Sequence, residues 1–193
     1  SAITDLEFSN DGLMLFVSRG NAKGTANDDR VFRFDLTSPY DVSTCAFANQ
    51  TSDLDTGTLQ DGSNAGDITE GINNRLQGIE INNDGTKLFA IFHGATGQDT
   101  RLLEYQLSTA YDLSTISIIT DAGIELNDEV SNPGGMRFSP DGKRFWAVDH
   151  NGSSQDVTQI SLDVAFSTSS FTIDGTVSIS SDITQPRGIA FSA

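Results

Sequence analysis

The 193-residue chain has a single cysteine, Cys45, so it holds no internal disulfide. It has only 11 lysines and arginines against 27 aspartates and glutamates, for a net charge of −16. Such a surface repels phosphate backbones and anionic lipid, which argues against nucleic acid as a partner. Long apolar runs are missing too: "KLFAIF" is typical of the longest, so no membrane span is expected. No segment shows a helical period. The patterns G-x-S-x-G, H-E-x-x-H and G-x-x-x-x-G-K are absent, and Cys45 has no histidine at plausible distance in its own repeat. With no catalytic set, the chain is expected to be non-enzymatic and to require no cofactor.

What remains is enough to fold. Hydrophobic residues make up 36% of the chain and 12 are phenylalanines, which separates it from a disordered acidic tail. The length suits one domain or part of a larger one. Cys45 lies at an apolar point of its segment, which predicts a buried thiol. The chain opens on Ser1 without a signal-peptide pattern; processing or a longer parent chain would account for that start.

The strongest signal is repetition. "LEFSNDGLMLFVS" starts at Leu6, "IEINNDGTKLFAI" at Ile79 and "MRFSPDGKRFWAV" at Met136, and a fourth start, "IAFSA", appears at Ile189. A second phrase follows each: "LTSPYDVSTCAF" from Leu36, "LSTAYDLSTISI" from Leu107 and a shortened "LDVAFSTSSF" from Leu162. The unit is about fifty-five residues long, a period that points to stacked units of sheet. Repeat 1 covers 4–74 with an insertion at 48–74, repeat 2 covers 75–131, repeat 3 covers 132–184, and 185–193 begins a fourth.

Each unit reads as four strands. The first alternates, with Leu6 and Phe8 against Glu7, Ile79 and Ile81 against Glu80, and Met136 and Phe138 against Arg137. An Asp-Gly turn follows, where glycine supplies the positive φ. The second strand is "LMLFVS", "KLFAIF" or "RFWAVD", and the third is "RVFRFDL", "RLLEYQL" or "VTQISL". The bland second phrase makes a corner with Tyr40, Tyr111 or Phe166 packed under it and Ser/Thr satisfying local backbone groups. A short fourth strand closes the unit. The third copy lacks two corner residues and requires a tighter turn. The fold class is therefore all-β: about three four-stranded antiparallel sheets of propeller-blade type plus one extra strand at 189–192.

The combination of "FSPDGKRFWAV" and "EYQLSTAYDLST" resembles the extracellular β-propeller repeats of marine bacterial and phage surface proteins, and is more distantly similar to YVTN-type surface-layer propellers. The resemblance covers nearly the whole chain. It implies architecture, and an extracellular or cell- or virion-surface location, more than chemistry. Propellers close with roughly four to eight blades, and three are too few. The missing cover would come from the rest of a longer chain, from two copies forming a ring, or from copies joined head to tail.

Candidate sites sit in the loops. His93 and His150 occupy one repeat position, with Gly20 at the third, and suggest either a metal site or exposed polar residues. Arg75, Gln77, Asn132, Gln185 and Arg187 precede the first strands and would ring a channel mouth, where they would bind a sugar, an acid group or a neighbouring protein, or else satisfy loop backbone and Glu7 and Glu80. Asp53, Asp55, Asp61 and Asp67 in the insertion, with Asp28 and Asp29 in "NAKGTANDD", are hard oxygen ligands suited to Ca²⁺, although their spacing is not that of an EF-hand. Asn49 and Asn151 open glycosylation sequons. The leading functional expectation is a non-enzymatic extracellular scaffold or binding module in a surface, filament or tail-like assembly. The alternatives are a carbohydrate-binding lectin module and, third, a Ca²⁺-dependent hydrolase of the lactonase type.

Overall fold

The computed structural model describes residues 2–20, 29–54, 75–93, 100–126, 128–151 and 154–191. They form twelve strands: β1 (Ala2–Phe8), β2 (Met14–Gly20), β3 (Arg30–Asp35), β4 (Ala46–Gln50), β5 (Arg75–Ile81), β6 (Lys87–His93), β7 (Arg101–Leu107), β8 (Ile116–Glu125), β9 (Pro133–Phe138), β10 (Arg144–Asn151), β11 (Ser154–Leu162) and β12 (Phe171–Ser178). They pair in sequence order into three four-stranded sheets, β1–β4, β5–β8 and β9–β12. Every pairing is antiparallel. These are the three expected blades. The helical elements among the described residues are 3₁₀ turns, at Val42–Thr44 and Leu113–Thr115.

One local device is built three times. Gly12, Gly85 and Gly142 stand at φ of +70°, +72° and +68°, and Tyr40, Tyr111 and Phe166 at φ of 59°, 62° and 51°. The N–H of each aromatic donates to the carbonyl of its glycine at 2.9, 2.8 and 2.8 Å. Each ring lies on that glycine so closely that an added Cβ would meet ring carbons at 2.6, 2.4 and 2.2 Å. Tyr40 and Tyr111 also donate their hydroxyls to the carbonyls of Asn10 and Asn83. An aromatic in the left-handed region is costly on its own. The turn glycine, the backbone bond and the ring contact together hold it there. In the first two corners Asp41 and Asp112 accept from Ser43 and Ser114 and start the 3₁₀ turns. The shortened third corner has no such turn and is closed by Ser167 N–H donating to Val164 O.

The blades stack on their faces. On the face each blade turns to the preceding one, two cross-strand rows are apolar. In the second blade they are Ile81–Leu88–Tyr105–Ile118 and Ile79–Ala90–Leu103. They bury against Phe16 and Val31 of the first blade. In the third blade Phe138–Phe145–Ile160 and Met136–Ala147 bury against Phe89, Ile91 and Leu102 of the second. Burying each large apolar side chain contributes about 1.5–3 kcal/mol, so these two layers are the core of the molecule.

Between blades the inner strands come close. A Cβ at Gly78 would lie 3.5 Å from Gly135 Cα, and one at Gly135 would lie 3.2 Å from Gly188 Cα. The segment 185–191 thus continues the series at the place of a fourth inner strand. It is extended chain without strand pairing among the described residues.

One expectation is corrected. Cys45 is exposed, not buried. It precedes β4, the outer strand of the first blade, whose forward face has no blade against it among the described residues. Its counterpart at the start of β8, Ile116, packs on the core between the first two blades.

Candidate functional site

The inner strands β1, β5 and β9 place Glu7, Glu80 and Arg137 at one repeat position, next to one another around the axis. The strand alternation turns all three away from the apolar rows; Glu7 and Glu80 reach the following blade, and Arg137 reaches back to both glutamates. Arg137 Nη1 lies 3.5 Å from Glu7 Oε1 and 3.2 Å from Glu80 Oε2. Glu7 Oε2 also accepts the Ile81 N–H at 2.8 Å, and Asp5 Oδ2 accepts the Ile79 N–H at 3.0 Å. Glu80 accepts the Phe138 N–H in the same way. The first and second blades thus each hold the next through carboxylates.

Both glutamates are buried, and burial pushes both pKa values up. For Glu7 the rise is well above the ordinary carboxylate range, with the neighbouring Glu80 charge adding to it and Arg137 and the Ile81 N–H opposing it. Glu80 is pushed up to about 8, with Arg137 again opposing. Burial also raises Asp5 against its two backbone hydrogen bonds. Two buried acids share one guanidinium, so near neutral pH the pair retains a proton.

A cavity of about 240 Å³ opens on this trio. Asn10, Asn83 and Pro140 from the Asp-Gly turns edge it, and Phe138, Phe166 and Phe191 wall it. It therefore offers two carboxyls, a guanidinium and turn amides beside aromatic surface.

The residues singled out by sequence lie elsewhere. Arg75 pairs in register with His93 at the start of β5, beside Gly20. His150 donates its N–H to Asn132 O at 2.9 Å, and burial and the nearby Arg187 charge lower its imidazole pKa. Gln77 is buried, while Gln185 and Arg187 are exposed. They form two groups at the far end of the inner strands from Glu7 and Glu80, one around Arg75 and His93 and one around Asn132, His150 and Arg187.

Asp29 and Asp53 are buried together. Asp53 accepts the Asp29 N–H, and Asp29 accepts the Leu76 N–H, which ties the first blade to β5. Asp28, Asp55, Asp61 and Asp67 lie outside the described residues. Asn49 uses its amide across the blade boundary, donating to Asp112 Oδ1 and accepting from Leu113 N–H. Asn151 ends β10. No helix among the described residues is long and apolar enough to cross a membrane.

Sequence reasoning passed over Glu7, Glu80 and Arg137 as sites because each reads as the polar side of an ordinary alternating strand. The available signal was the column: one repeat position holding Glu, Glu and Arg.

The three sheets and their stacking define a propeller-like, all-β chain. No protein-family model matches it, and no curated protein does. Among solved structures, a protein from Lactobacillus plantarum matches over 95% of this chain at 16% identity, with a TM-score of 0.53. The chain spans 42% of that protein's length. A proposed 6-phosphogluconolactonase from Bacteroides fragilis matches over 89% of this chain and 70% of its own, at 12% identity and a TM-score of 0.36. The calcium-binding protein regucalcin from Agrobacterium tumefaciens matches over 87% of this chain and 57% of its own, at 13% identity and a TM-score of 0.39.

The expectation of a non-enzymatic chain is corrected here. The axial acids Glu7 and Glu80 form a buried, titratable pair that motif searching overlooks. Calcium does not fit the axial trio. It takes about six to eight oxygen ligands, whereas here the carboxylates accept backbone N–H groups and a guanidinium stands between them. No group of three potential metal ligands occurs among the described residues.

Proposed function

We propose that this chain is a carbohydrate-binding part of a propeller, and that its axial cavity takes one polyhydroxylated ring, a sugar or a sugar lactone. The observation that carries the reading is the Glu7–Arg137–Glu80 cluster at the floor of an aromatic-walled cavity. Carboxyls and a guanidinium satisfy several adjacent hydroxyls at once, and Phe191, 51% exposed, gives a ring an apolar face. The volume of about 240 Å³ falls below the roughly 300–1,000 Å³ of drug-sized sites, which favours a single ring over an oligosaccharide. Calorimetric titration with monosaccharides, aldonolactones and disaccharides tests this. Binding of single rings, lost in Arg137→Met and Glu7→Gln, is the expected result. Absence of heat with the whole panel sinks the reading.

The retained proton favours a second reading of the same cavity. Glu80, with its pKa near 8, is a proton donor at neutral pH, which suits hydrolysis of a bound lactone. Glu80→Gln would then keep binding and lose turnover. Wild-type protein that binds aldonolactones without opening them refutes this second reading alone.

A further inference from the structure

We infer that the end of the inner strands opposite the Glu7–Arg137–Glu80 cluster binds a small oxyanion, a carboxylate or a phosphate, on the guanidinium of Arg75. In a chain with 27 acids against 11 lysines and arginines, a partly buried cation is expected to pair with a carboxylate, as Arg33, Lys87 and Arg137 do. Arg75 is partly buried, has no ion pair among the described residues, and keeps its Nε buried without a hydrogen-bond partner. The nearby acids are engaged elsewhere: Asp29 accepts the Leu76 N–H, and Asp149 accepts from Ser131. A guanidinium has five N–H donors and no acceptor, and a buried charged donor left without a partner is costly. What Arg75 lacks is therefore an anion. An oxyanion takes Nε–H and one Nη–H together, in the bidentate geometry that a guanidinium favours.

The surroundings make room for it. β5 has an inner strand on either side, β1 and β9, so Arg75 lies inside the stack and not on an open flank. The first copy of the repeat has Gly20 where the others have His93 and His150. A Cβ at Gly20 would lie 3.0 Å from Arg75 Cγ and closer still to Leu76 O. A histidine there would take the place of the arginine stem, so the missing side chain is what admits Arg75. Each inner strand also carries a β-bulge at this level, where the pairing register shifts around Thr4, Gln77 and Gly134. Bulges re-aim the side chains beside them. Gln77 is buried close to Arg75 in the chain, and Asn132 stands level with Arg75 on the next inner strand, since Gly78 and Gly135 are the neighbouring points of the two strands. Both side chains end in amides, which donate to an anion without neutralising it. The arginine thus supplies the charge and the two amides the rest of the cradle. This site is separate from the axial cavity and does not rest on what that cavity binds.

Nuclear magnetic resonance titration of the isotope-labelled 193-residue chain with inorganic phosphate, acetate and chloride, at matched ionic strength, tests this at the Arg75 Nε–H resonance. The expected result is a saturable shift with phosphate, acetate or both, slower exchange of that proton with water, and no saturable shift with chloride. Saturation by phosphate alone assigns a phosphoryl-bearing ligand, and saturation by acetate alone a carboxylate. Arg75→Gln should abolish the response, followed there at the backbone amides of Gln77 and Asn132. Lys143→Gln removes the same charge at an exposed turn at the other end of the strands and should leave it unchanged. Arg75 has no ion pair to lose, so its variant should keep the wild-type circular dichroism, and the wild-type titration stands without it. The inference is overturned if neither oxyanion gives a saturable shift. It is overturned equally by a matching response to chloride, which marks screening alone, or by amide shifts that persist in Arg75→Gln.

Discussion

The corner and the axis of each blade are built from the same repeat and treat it in opposite ways. At the corner, three blades place an aromatic at positive φ on an Asp-Gly glycine with the same backbone bond. At the axis, the equivalent inner-strand position holds Glu7, Glu80 and Arg137 in turn. The corner solves a problem internal to each blade, so each copy needs the same solution. The axial residues meet one another, and three like charges at one point would repel. Constancy along the repeat therefore marks what shapes a blade, and departure from it marks what the blades do together.

The comparison is broken most sharply at the corner glycine. Gly85→Ala places a Cβ 2.4 Å from the Tyr111 ring and forces alanine to φ near +72°. Left-handed strain and overpacking together predict a loss of about 2–4 kcal/mol, read as a lower urea midpoint. Because the Tyr111 carbonyl also accepts from Arg33 Nη1 at 3.0 Å, the first two blades should loosen together. A midpoint unchanged from wild type would show that the corner is not the blade's anchor.

The axis responds to pH, and the sign is fixed by the direction of the shifts. Glu80 ionises near its ordinary 4.5 when unfolded and only near about 8 when folded. Between those values the folded chain holds a proton that the unfolded chain has lost. Stability is therefore greatest below about pH 4.5 as far as this pair is concerned, and falls as pH rises through about 8. Glu80→Gln should flatten that fall. Arg137→Met should steepen it, leaving two buried acids without a cation at a cost of about 3 kcal/mol at alkaline pH and much less in acid. Thermal melts of the three proteins at several pH values separate these outcomes. Identical pH profiles would mean that water reaches the glutamates and they are not buried acids.

The corner was legible because its text is written three times, and aromatic, aspartate and Ser/Thr each have a local task that composition alone suggests. The blade faces were legible for a similar reason: Ile79 and Ile81 alternate with Glu80 in plain view. The axial trio was not, because Glu7, Glu80 and Arg137 are distant in sequence and become neighbours only when the inner strands converge. Arg75, Asn132 and Arg187 fall where the sequence suggests loops, the usual place of sites, and lie at the other end of the inner strands, Arg75 as the first residue of β5. Cys45 is exposed against expectation because apolar surroundings imply burial only where a blade covers them, and among the described residues none covers the first blade's forward face. Asp53 of the insertion and Asp29 before β3 are expected as cation ligands, and in the structure both accept backbone N–H groups. Their residue type shows an affinity for positive partners and does not say which partner the fold supplies.

The smallest test uses a substitution that the chain itself contains. The third corner has Phe166 where the first two have tyrosine, and its backbone geometry is the same. The hydroxyl of Tyr111 donates to Asn83 O at 2.9 Å on an exposed part of the corner. Tyr111→Phe removes that bond and keeps the ring on Gly85, so it should cost only about 0.5–1.5 kcal/mol, well under Gly85→Ala. The two variants share one corner and differ in which contact they remove. If Tyr111→Phe proved as damaging as Gly85→Ala, the hydroxyl would be the anchor, and the third corner would then have to be the weakest point of its blade. Amide exchange of Phe166 compared with Tyr111 reads that directly: similar protection is expected, since the N–H of each donates to its turn glycine at 2.8 Å.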